Sequence, residues 1–189
     1  MDSFEPLSDK EKAASGASGR AKKDEGIAIV PVPGHVSIAI PKHPLGVPAK
    51  RWEYRDAQGC LLFIICRFIK ANGEKEDRPL TYRKYKNGVL RWGWKSVDSP
   101  RPLYGLDRLA ARPDAPVLVC EGEKATDAAQ ILFPDYVVVT SPNGAGSAAQ
   151  ANWNPLRGRL VTIWPDNDEE GKQYAANVAQ IITKLNKGK

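Results

Sequence analysis

Short apolar runs alternate with helical patterns between residues 116 and 185, and this alternation constrains the fold more than any other feature. The runs VLVC, YVVV and RLVTIW are typical of parallel strands that are buried on both faces. Helical spacing follows in EKATDAAQILF and in EEGKQYAANVAQIITKL, where the apolar side carries Tyr174, Val178, Ile181, Ile182 and Leu185. Strands joined through helices by short connections form right-handed βαβ units. We therefore predict an α/β fold in which helices flank a parallel sheet.

A different pattern precedes this segment. Residues 50–95 contain four runs with strand composition, which are KRWEYRD, CLLFIICRFIK, LTYRKYK and VLRWGWK. Two of the connections contain Asn-Gly, a pair that tolerates the positive φ of a tight hairpin turn. These runs predict a small antiparallel β-meander. The link SPRPLYGLDRLAARPDAP follows it and predicts a short helical turn at LDRLA.

Composition and charge divide the chain into four segments. Residues 1–25 are polar, without an apolar period, and are predicted to be a disordered tail. Residues 26–49 contain apolar runs interrupted by prolines and are predicted to be an irregular lead-in. Residues 50–112 carry a net charge of +8 and residues 113–189 a net charge of −2. We therefore predict a basic, β-rich nucleic-acid-binding subdomain over 50–112 and the α/β domain over 113–189.

Carboxylates follow two of the three predicted parallel strands. Glu121 ends the first strand, and Asp166 and Asp168 end the third. Because binding sites in open α/β sheets form beyond the carboxyl ends of the strands, these acids are candidate ligands of one metal ion. Oxygen ligands without His or Cys suit Mg²⁺ or Mn²⁺. The alternative is that the acids complement the dipoles of the helices that follow, which is the interpretation we prefer for Glu169 and Glu170.

The second Asn-Gly hairpin is rich in cations. Tyr82, Tyr85, Trp92 and Trp94 interleave with them, as in single-strand binders that combine a cationic groove with stacking rings. The alternative is that the aromatic rings fill the core of a small sheet. The predicted nucleic-acid-binding cations are Arg83, Lys84, Lys86, Arg91 and Lys95, and Lys124 beside Glu121 is a further candidate.

The loop PNGAG after the second parallel strand is a weaker candidate, for phosphate. Asn143, Gly144 and Gly146 could form a backbone nest for an anion, and the alternative is an ordinary tight turn.

The cysteine spacing and the lack of long apolar runs in the sequence argue against several classes of protein. Cys60, Cys66 and Cys120 form no CxxC pair and lie far in sequence from both histidines, so we expect free thiols and no structural zinc. No run approaches the roughly 20 apolar residues of a membrane span, and the N-terminus lacks the apolar core of a signal peptide. We therefore expect a cytoplasmic protein without a membrane partner.

The paired acidic motifs resemble those of the Toprim domain. Glu121-Gly122, followed by Asp166-Asn167-Asp168 with Gly171 after them, matches the glutamate and DxD signature of that family over residues 116–185. The resemblance implies that Glu121 is a general acid/base or a metal ligand and that Asp166 and Asp168 bind Mg²⁺. With residues 50–112 in front of it, the chain resembles the primase-like proteins of phages, plasmids and integrative elements, in which a helicase commonly accompanies the Toprim domain.

The chain also departs from that pattern. Ala125 stands where many primase Toprim domains have a further acid, and no fourth strand follows the last helix. Neither a zinc ribbon nor the GxxxxGK[ST] loop of a helicase motor is present in the sequence.

The leading hypothesis is a DNA primase-type nucleotidyltransferase that acts with Mg²⁺ in the replication of a phage or mobile element. Its expected partners are a single-stranded DNA template, nucleoside triphosphates, and a helicase on the same or another chain. Two alternatives stay open. One is a Toprim metal-dependent nuclease, and the other is a non-catalytic nucleic-acid-binding module with a RecR-like role.

Overall fold

The computed structural model describes residues 24–187, which form an antiparallel sheet followed by a smaller parallel sheet with helices. The predicted tail lies outside the described residues except for Asp24 and Glu25. The strands of the antiparallel sheet are β1 (Ile27–Ala28), β2 (Lys50–Arg55), β3 (Leu61–Ile69), β4 (Lys75–Lys84) and β5 (Leu90–Gly93). The second part contains α1 (Leu106–Ala111), β6 (Val117–Cys120), α2 (Glu123–Leu132), β7 (Val137–Val139), β8 (Val161–Trp164) and α3 (Glu169–Lys187), with two 3-10 helices at Ala145–Gln150 and Asn154–Leu156.

The antiparallel meander is confirmed by its register. β2 pairs with β3, β3 with the first half of β4, and β5 with the second half of β4, where Tyr82 lies opposite Trp92. The lead-in, residues 26–49, covers one face of this sheet. Val32 of the lead-in is buried in one cluster with Ile64 and Leu80 of the sheet. The other face carries Trp52, Tyr54, Phe63 and Ile65 and packs toward Tyr104. Both faces are therefore covered, which explains the continuous apolar centre of β3.

The parallel sheet has the strand order β7-β6-β8. β6 and β7 are buried on both sides because helices cover both faces there. The expectation of burial on both faces is wrong for β8, an edge strand on which Thr162 and Trp164 are exposed. One face packs against α3 and the 3-10 segments, and the predicted apolar side of α3 contributes Tyr174, Val178, Ile181, Ile182 and Leu185 to that core. The other face packs against α2 through Leu118, Cys120 and Val138. The predicted arrangement of a helix-flanked parallel sheet behind an antiparallel one is confirmed.

The boundary between the two parts lies earlier in the chain than residue 112. Leu103 and Leu109 are buried in the core of the parallel sheet. The backbone N–H of Tyr104 donates to Thr140 O at 2.8 Å, and that of Arg101 donates to Gln150 O at 2.7 Å. Residues 101–112 therefore pack with the α/β part. The net charge of the sequence groups residues 101–112 with the β-rich segment. Net charge carries no information about long-range packing, so it cannot locate this boundary.

The three cysteines are free thiols. Cys66 and Cys120 are buried in strands, and burial raises the pKa of each thiol to about 11. Cys60 lies in the exposed turn between β2 and β3. Of the helices within residues 24–187, none has the length and apolar character needed to span a bilayer.

Candidate functional site

The acidic residues lie at one edge of the parallel sheet. β6 and β8 are adjacent parallel strands with Cys120 paired to Trp164, so the residues that follow them leave the sheet at the same end. Glu121 comes directly after β6, and Asp166 comes two residues after β8. Both line a cleft of about 860 Å³ between the two sheets. The sequence-based expectation that strand ends bring distant acids together therefore describes these two residues correctly.

Glu121 lies in an electrostatically unfavourable environment. Its Oε2 atom is buried and has no hydrogen-bond partner among residues 24–187. Burial raises the pKa of its carboxyl, and the negative charges of Asp166, Asp168 and Glu170 raise it further, while the backbone N–H of Asp166 opposes part of this rise. A buried carboxylate oxygen that faces other carboxylates is what a cation would compensate.

Asp168 has a second role. Its Oδ1 accepts a hydrogen bond of 2.7 Å from the backbone N–H of Gly171, so it caps the first turn of α3. Its side chain is exposed and does not line the cleft. No three Asp, Glu, His or Cys side chains within residues 24–187 converge closely enough to hold a metal ion by themselves. Glu121, Asp166 and Asp168 are thus close enough to interact electrostatically but do not converge into a complete ligand cage. Any cation bound here needs further oxygen ligands.

Cations from the antiparallel sheet lie across the cleft from Glu121. Arg67 on β3, with Lys75 and Arg78 on β4, forms what we call the basic wall, and all three line the cleft. Arg67 is held by a bidentate pair with Asp77, with distances of 2.8 Å and 2.6 Å, and Arg78 pairs with Glu76. Lys75 has no ion-pair partner among the described residues, and it is exposed.

Two other predicted residues line the same cleft. Lys124, in the first turn of α2, is exposed there beside Glu121. Asn143 and Gly144 lie on the lining with φ values of 70° and 65°. Gly146 does not line the cleft. The cleft thus combines acids from the α/β part with cations from both parts.

The structure corrects the prediction for Arg83. This side chain is 3% exposed, and its guanidinium donates to Glu25 O at 2.6 Å and to Gly26 O at 2.7 Å. It also donates to Thr81 Oγ1 at 2.8 Å, so its hydrogen bonds hold the start of the described chain against β4. An arginine used in this way is not available to nucleic acid.

The other hairpin cations lie away from the cleft. Lys84 and Lys86 are exposed, the guanidinium of Arg91 lies over the Tyr85 ring at 4.4 Å, and Lys95 pairs with Glu25. Lys75 and Lys84 lie at opposite ends of β4, and at about 3.4 Å per residue the two ends are about 30 Å apart. Trp92, a candidate stacking ring, is buried and donates to Ser37 O at 3.0 Å. For Trp92, the core interpretation is the correct one.

Two functional features were missed in the sequence. The first is the basic wall, whose members look like ordinary charges on alternating strands until the register of β3 and β4 is known. The second is Glu123, which lines the cleft, is 5% exposed, and accepts a hydrogen bond of 2.7 Å from the Tyr54 hydroxyl. The only available signal for Glu123 was its position two residues after Glu121.

Comparisons with known proteins give a partial similarity to a solved structure. No family model matches the chain, and no curated protein matches it. Among solved structures, the chain is similar to the crystal structure of the primase fragment of the bacteriophage T7 primase-helicase protein, with a TM-score of 0.44 and 17% sequence identity. The similarity covers 70% of this chain and 48% of that chain, so the chain spans about half the length of the structure that it matches.

Proposed function

We propose that this protein is a Toprim-type, primase-like nucleotidyltransferase that acts on single-stranded nucleic acid with Mg²⁺. One observation carries the proposal: a single cleft has Glu121 and Asp166 on one side and the basic wall on the other. Phosphates are attracted by the cations, and a hard divalent cation is attracted by the carboxylates. Nucleotidyl transfer requires both in one place.

The donor set fits Mg²⁺ or Mn²⁺. These ions accept one or two carboxylates and complete their coordination with water and with substrate phosphate oxygens, so a ready-made cage is not required. Glu121, Asp166 and Asp168 are the proposed ligands. Bound there, the ion would neutralise negative charge on the phosphate undergoing transfer.

The protein's own groups have separate roles in the proposed reaction. The 3′-hydroxyl of a primer attacks the α-phosphorus of a nucleoside triphosphate, a new O–P bond forms, and the bond to the β-phosphate oxygen breaks with release of pyrophosphate. The hydroxyl proton passes to a water molecule or, if Asp166 and Asp168 alone hold the ion, to Glu121, whose carboxyl has a raised pKa in the metal-free protein. Lys75 and Lys124 orient the phosphates. The template strand, the triphosphates and a helicase on the same or another chain are the partners that this proposal implies.

A non-catalytic nucleic-acid-binding module is the second candidate. It is favoured by the absence of three converging ligands among the described residues. The same cleft would then hold a phosphate backbone without transferring phosphate.

One assay separates these possibilities and the nuclease alternative. The protein is incubated with primed and unprimed single-stranded DNA, labelled NTPs or dNTPs and Mg²⁺, and both extension and degradation are measured. We expect extension that is lost in Glu121→Gln and kept in Glu169→Gln, since Glu169 is an exposed acid paired with Lys172 outside the cleft. DNA binding without turnover would establish the non-catalytic module, and Mg²⁺-dependent degradation would establish the nuclease.

A further inference from the structure

We infer that Glu123 and Asp127, two acids one turn apart on α2, are positioning residues that hold the basic wall at its working distance from Glu121. The inference rests on the proposed function of the cleft. The proposed function requires the antiparallel sheet and the α/β part to be held at a fixed distance across the cleft, and Glu123 and Asp127 supply the contacts that do this.

Asp127 joins three segments of the chain. Its Oδ2 accepts hydrogen bonds from Lys50 Nζ at 3.0 Å and from Trp52 Nε1 at 2.9 Å, both on β2. Its Oδ1 accepts a hydrogen bond of 2.9 Å from the Tyr104 hydroxyl, in the segment before α1. A carboxylate with three donors from outside its own helix is committed to holding those segments together. Asp127 is therefore not available as a metal ligand.

Glu123 makes the second connection, nearer the cleft. It accepts a hydrogen bond of 2.7 Å from Tyr54, whose side chain is fully buried and stacks on Phe63 with ring centroids 4.2 Å apart. The interaction links α2 to both β2 and β3. Because it is buried, its hydrogen bond is shielded from competing water.

The two connections have matching spacing. Trp52 and Tyr54 are two residues apart on β2, which puts their side chains on one face about 6.8 Å apart. Glu123 and Asp127 are four residues apart on α2, which puts them on one side about 6 Å apart. The strand and the helix therefore meet in a ladder with two rungs, Trp52 to Asp127 and Tyr54 to Glu123. Two rungs fix both the sliding and the tilt of one element against the other, which a single rung cannot do.

The ladder extends to the basic wall through Trp52. The guanidinium of Arg67 lies over the Trp52 ring at 4.8 Å, and Lys50 lies 5.0 Å from the same ring. Arg67 is fixed in turn by its bidentate pair with Asp77, the residue opposite it on β4. Lys75 is two residues from Asp77 on the same strand, so the position of α2 is transmitted to this lysine of the wall.

The end of α2 that carries Glu123 also lies beside the acidic side of the cleft. The helix starts two residues after Glu121, and its residues Lys124, Ala125 and Ala128 line the cleft. The same helix thus directly follows Glu121 in the chain and carries Glu123 and Asp127, which hold the antiparallel sheet. Loss of the ladder should lower the affinity for ligands that contact both sides of the cleft. It should leave unchanged the affinity for ligands that contact only Glu121 and Asp166.

The test uses two probes on the whole chain: Mn²⁺ alone, and tripolyphosphate in the presence of saturating Mn²⁺, both by calorimetry. For Asp127→Ala we expect unchanged affinity for Mn²⁺ and about tenfold weaker binding of tripolyphosphate. Asp135→Asn, at an exposed position after α2, is the matched control and should change neither. Lys50→Met removes one donor at an exposed position without burying a charge, and we expect a smaller loss, about threefold, for tripolyphosphate only.

A double-mutant cycle distinguishes positioning from general destabilisation. Lys75→Ala should weaken tripolyphosphate binding in the wild-type background and have little further effect in the Asp127→Ala background, because the lysine is already misplaced there. Fully additive losses, or wild-type tripolyphosphate affinity in both Asp127→Ala and Lys50→Met, would overturn the positioning role while leaving the proposed function intact. If the unmutated protein binds Mn²⁺ but no tripolyphosphate, the proposed function itself fails, and the inference fails with it.

Discussion

Gly171 lies against the carboxylate of Glu121: a Cβ atom on this glycine would be 2.9 Å from Glu121 Oε2 and 2.9 Å from the backbone nitrogen of Asp166. The first turn of α3 therefore encloses the acid at the end of β6 and holds it beside the acid that follows β8. This close approach explains why a glycine occupies a buried helical position, where it would otherwise reduce stability.

Gly171→Ala should destabilise the protein by about 1–3 kcal/mol, because the methyl group overlaps the Asp166 backbone and the Glu121 carboxylate. The sign is opposite to the usual effect of replacing glycine by alanine inside a helix. Chemical denaturation measures it, with Ala179→Gly at an exposed position of the same helix as the control for helix propensity. A more stable Gly171→Ala variant would show that α3 does not approach the site this closely.

Glu121→Gln should stabilise the metal-free protein at neutral pH, raising Tm by about 1–3 °C. The reason is that folding raises the pKa of the Glu121 carboxyl. The folded protein therefore loses stability relative to the unfolded chain as pH rises from the ordinary glutamate pKa through the raised pKa of Glu121. The difference should vanish at acid pH, where the carboxyl is protonated in both states. Added Mn²⁺ should raise the Tm of the unmutated protein and not that of Glu121→Gln. Equal melting temperatures at all pH values without metal would contradict the electrostatic account.

Asp168→Asn and Asp168→Ala should separate the two roles of this residue. Both remove the charge, so both should weaken Mn²⁺ binding measured by calorimetry. Only Asp168→Ala removes the cap on α3, and it should cost about 1 kcal/mol of stability, because asparagine caps helices as well as aspartate does. Wild-type Mn²⁺ affinity in both variants would assign Asp168 to the helix alone.

Tyr54→Phe should destabilise the protein by about 1–3 kcal/mol at neutral pH, because the buried Glu123 carboxylate loses its hydrogen-bond donor. Burial already raises the pKa of Glu123, and the bond from Tyr54 opposes that rise. The variant should therefore have a still higher pKa for Glu123. Its deficit in stability should grow as pH rises from the raised pKa of Glu123 in the unmutated protein to the higher pKa in the variant, and it should shrink toward acid pH. Denaturation at several pH values checks this. A deficit that does not vary with pH would mean that the loss comes from packing rather than from the carboxylate.

Two pairs of substitutions with equal charge change test which cations bind nucleic acid. Lys75→Ala with Lys124→Ala should weaken single-strand binding and make the log–log salt dependence shallower by about 1.4, because each phosphate that a lysine neutralises contributes about 0.7 to the slope. Lys84→Ala with Lys86→Ala is the matched control at the other end of β4, and we expect a smaller change in slope. The opposite ranking would place the nucleic acid on the hairpin, as the sequence alone suggested.

The sequence by itself determined the order of elements and the identity of the acidic residues. Helical and strand periods, Asn-Gly turns and acids at strand ends are local patterns, and local patterns survive in the fold because side-chain direction follows from backbone geometry. Glu121 and Asp166 could be predicted as neighbours because the carboxyl ends of parallel strands meet at one edge of a sheet.

Only the tertiary structure decided what faces those acids. Arg67 and Lys75 line the cleft because of the register of β3 against β4 and the packing of that sheet on α2, and neither leaves a trace in nearby residues. Arg83 has the same local character as Lys84, yet it is buried because Glu25 O and Gly26 O, nearly 60 residues earlier in the chain, accept its hydrogen bonds. A cation's role depends on the partner that reaches it in space, and for these residues the partners lie too far along the chain for sequence spacing to predict.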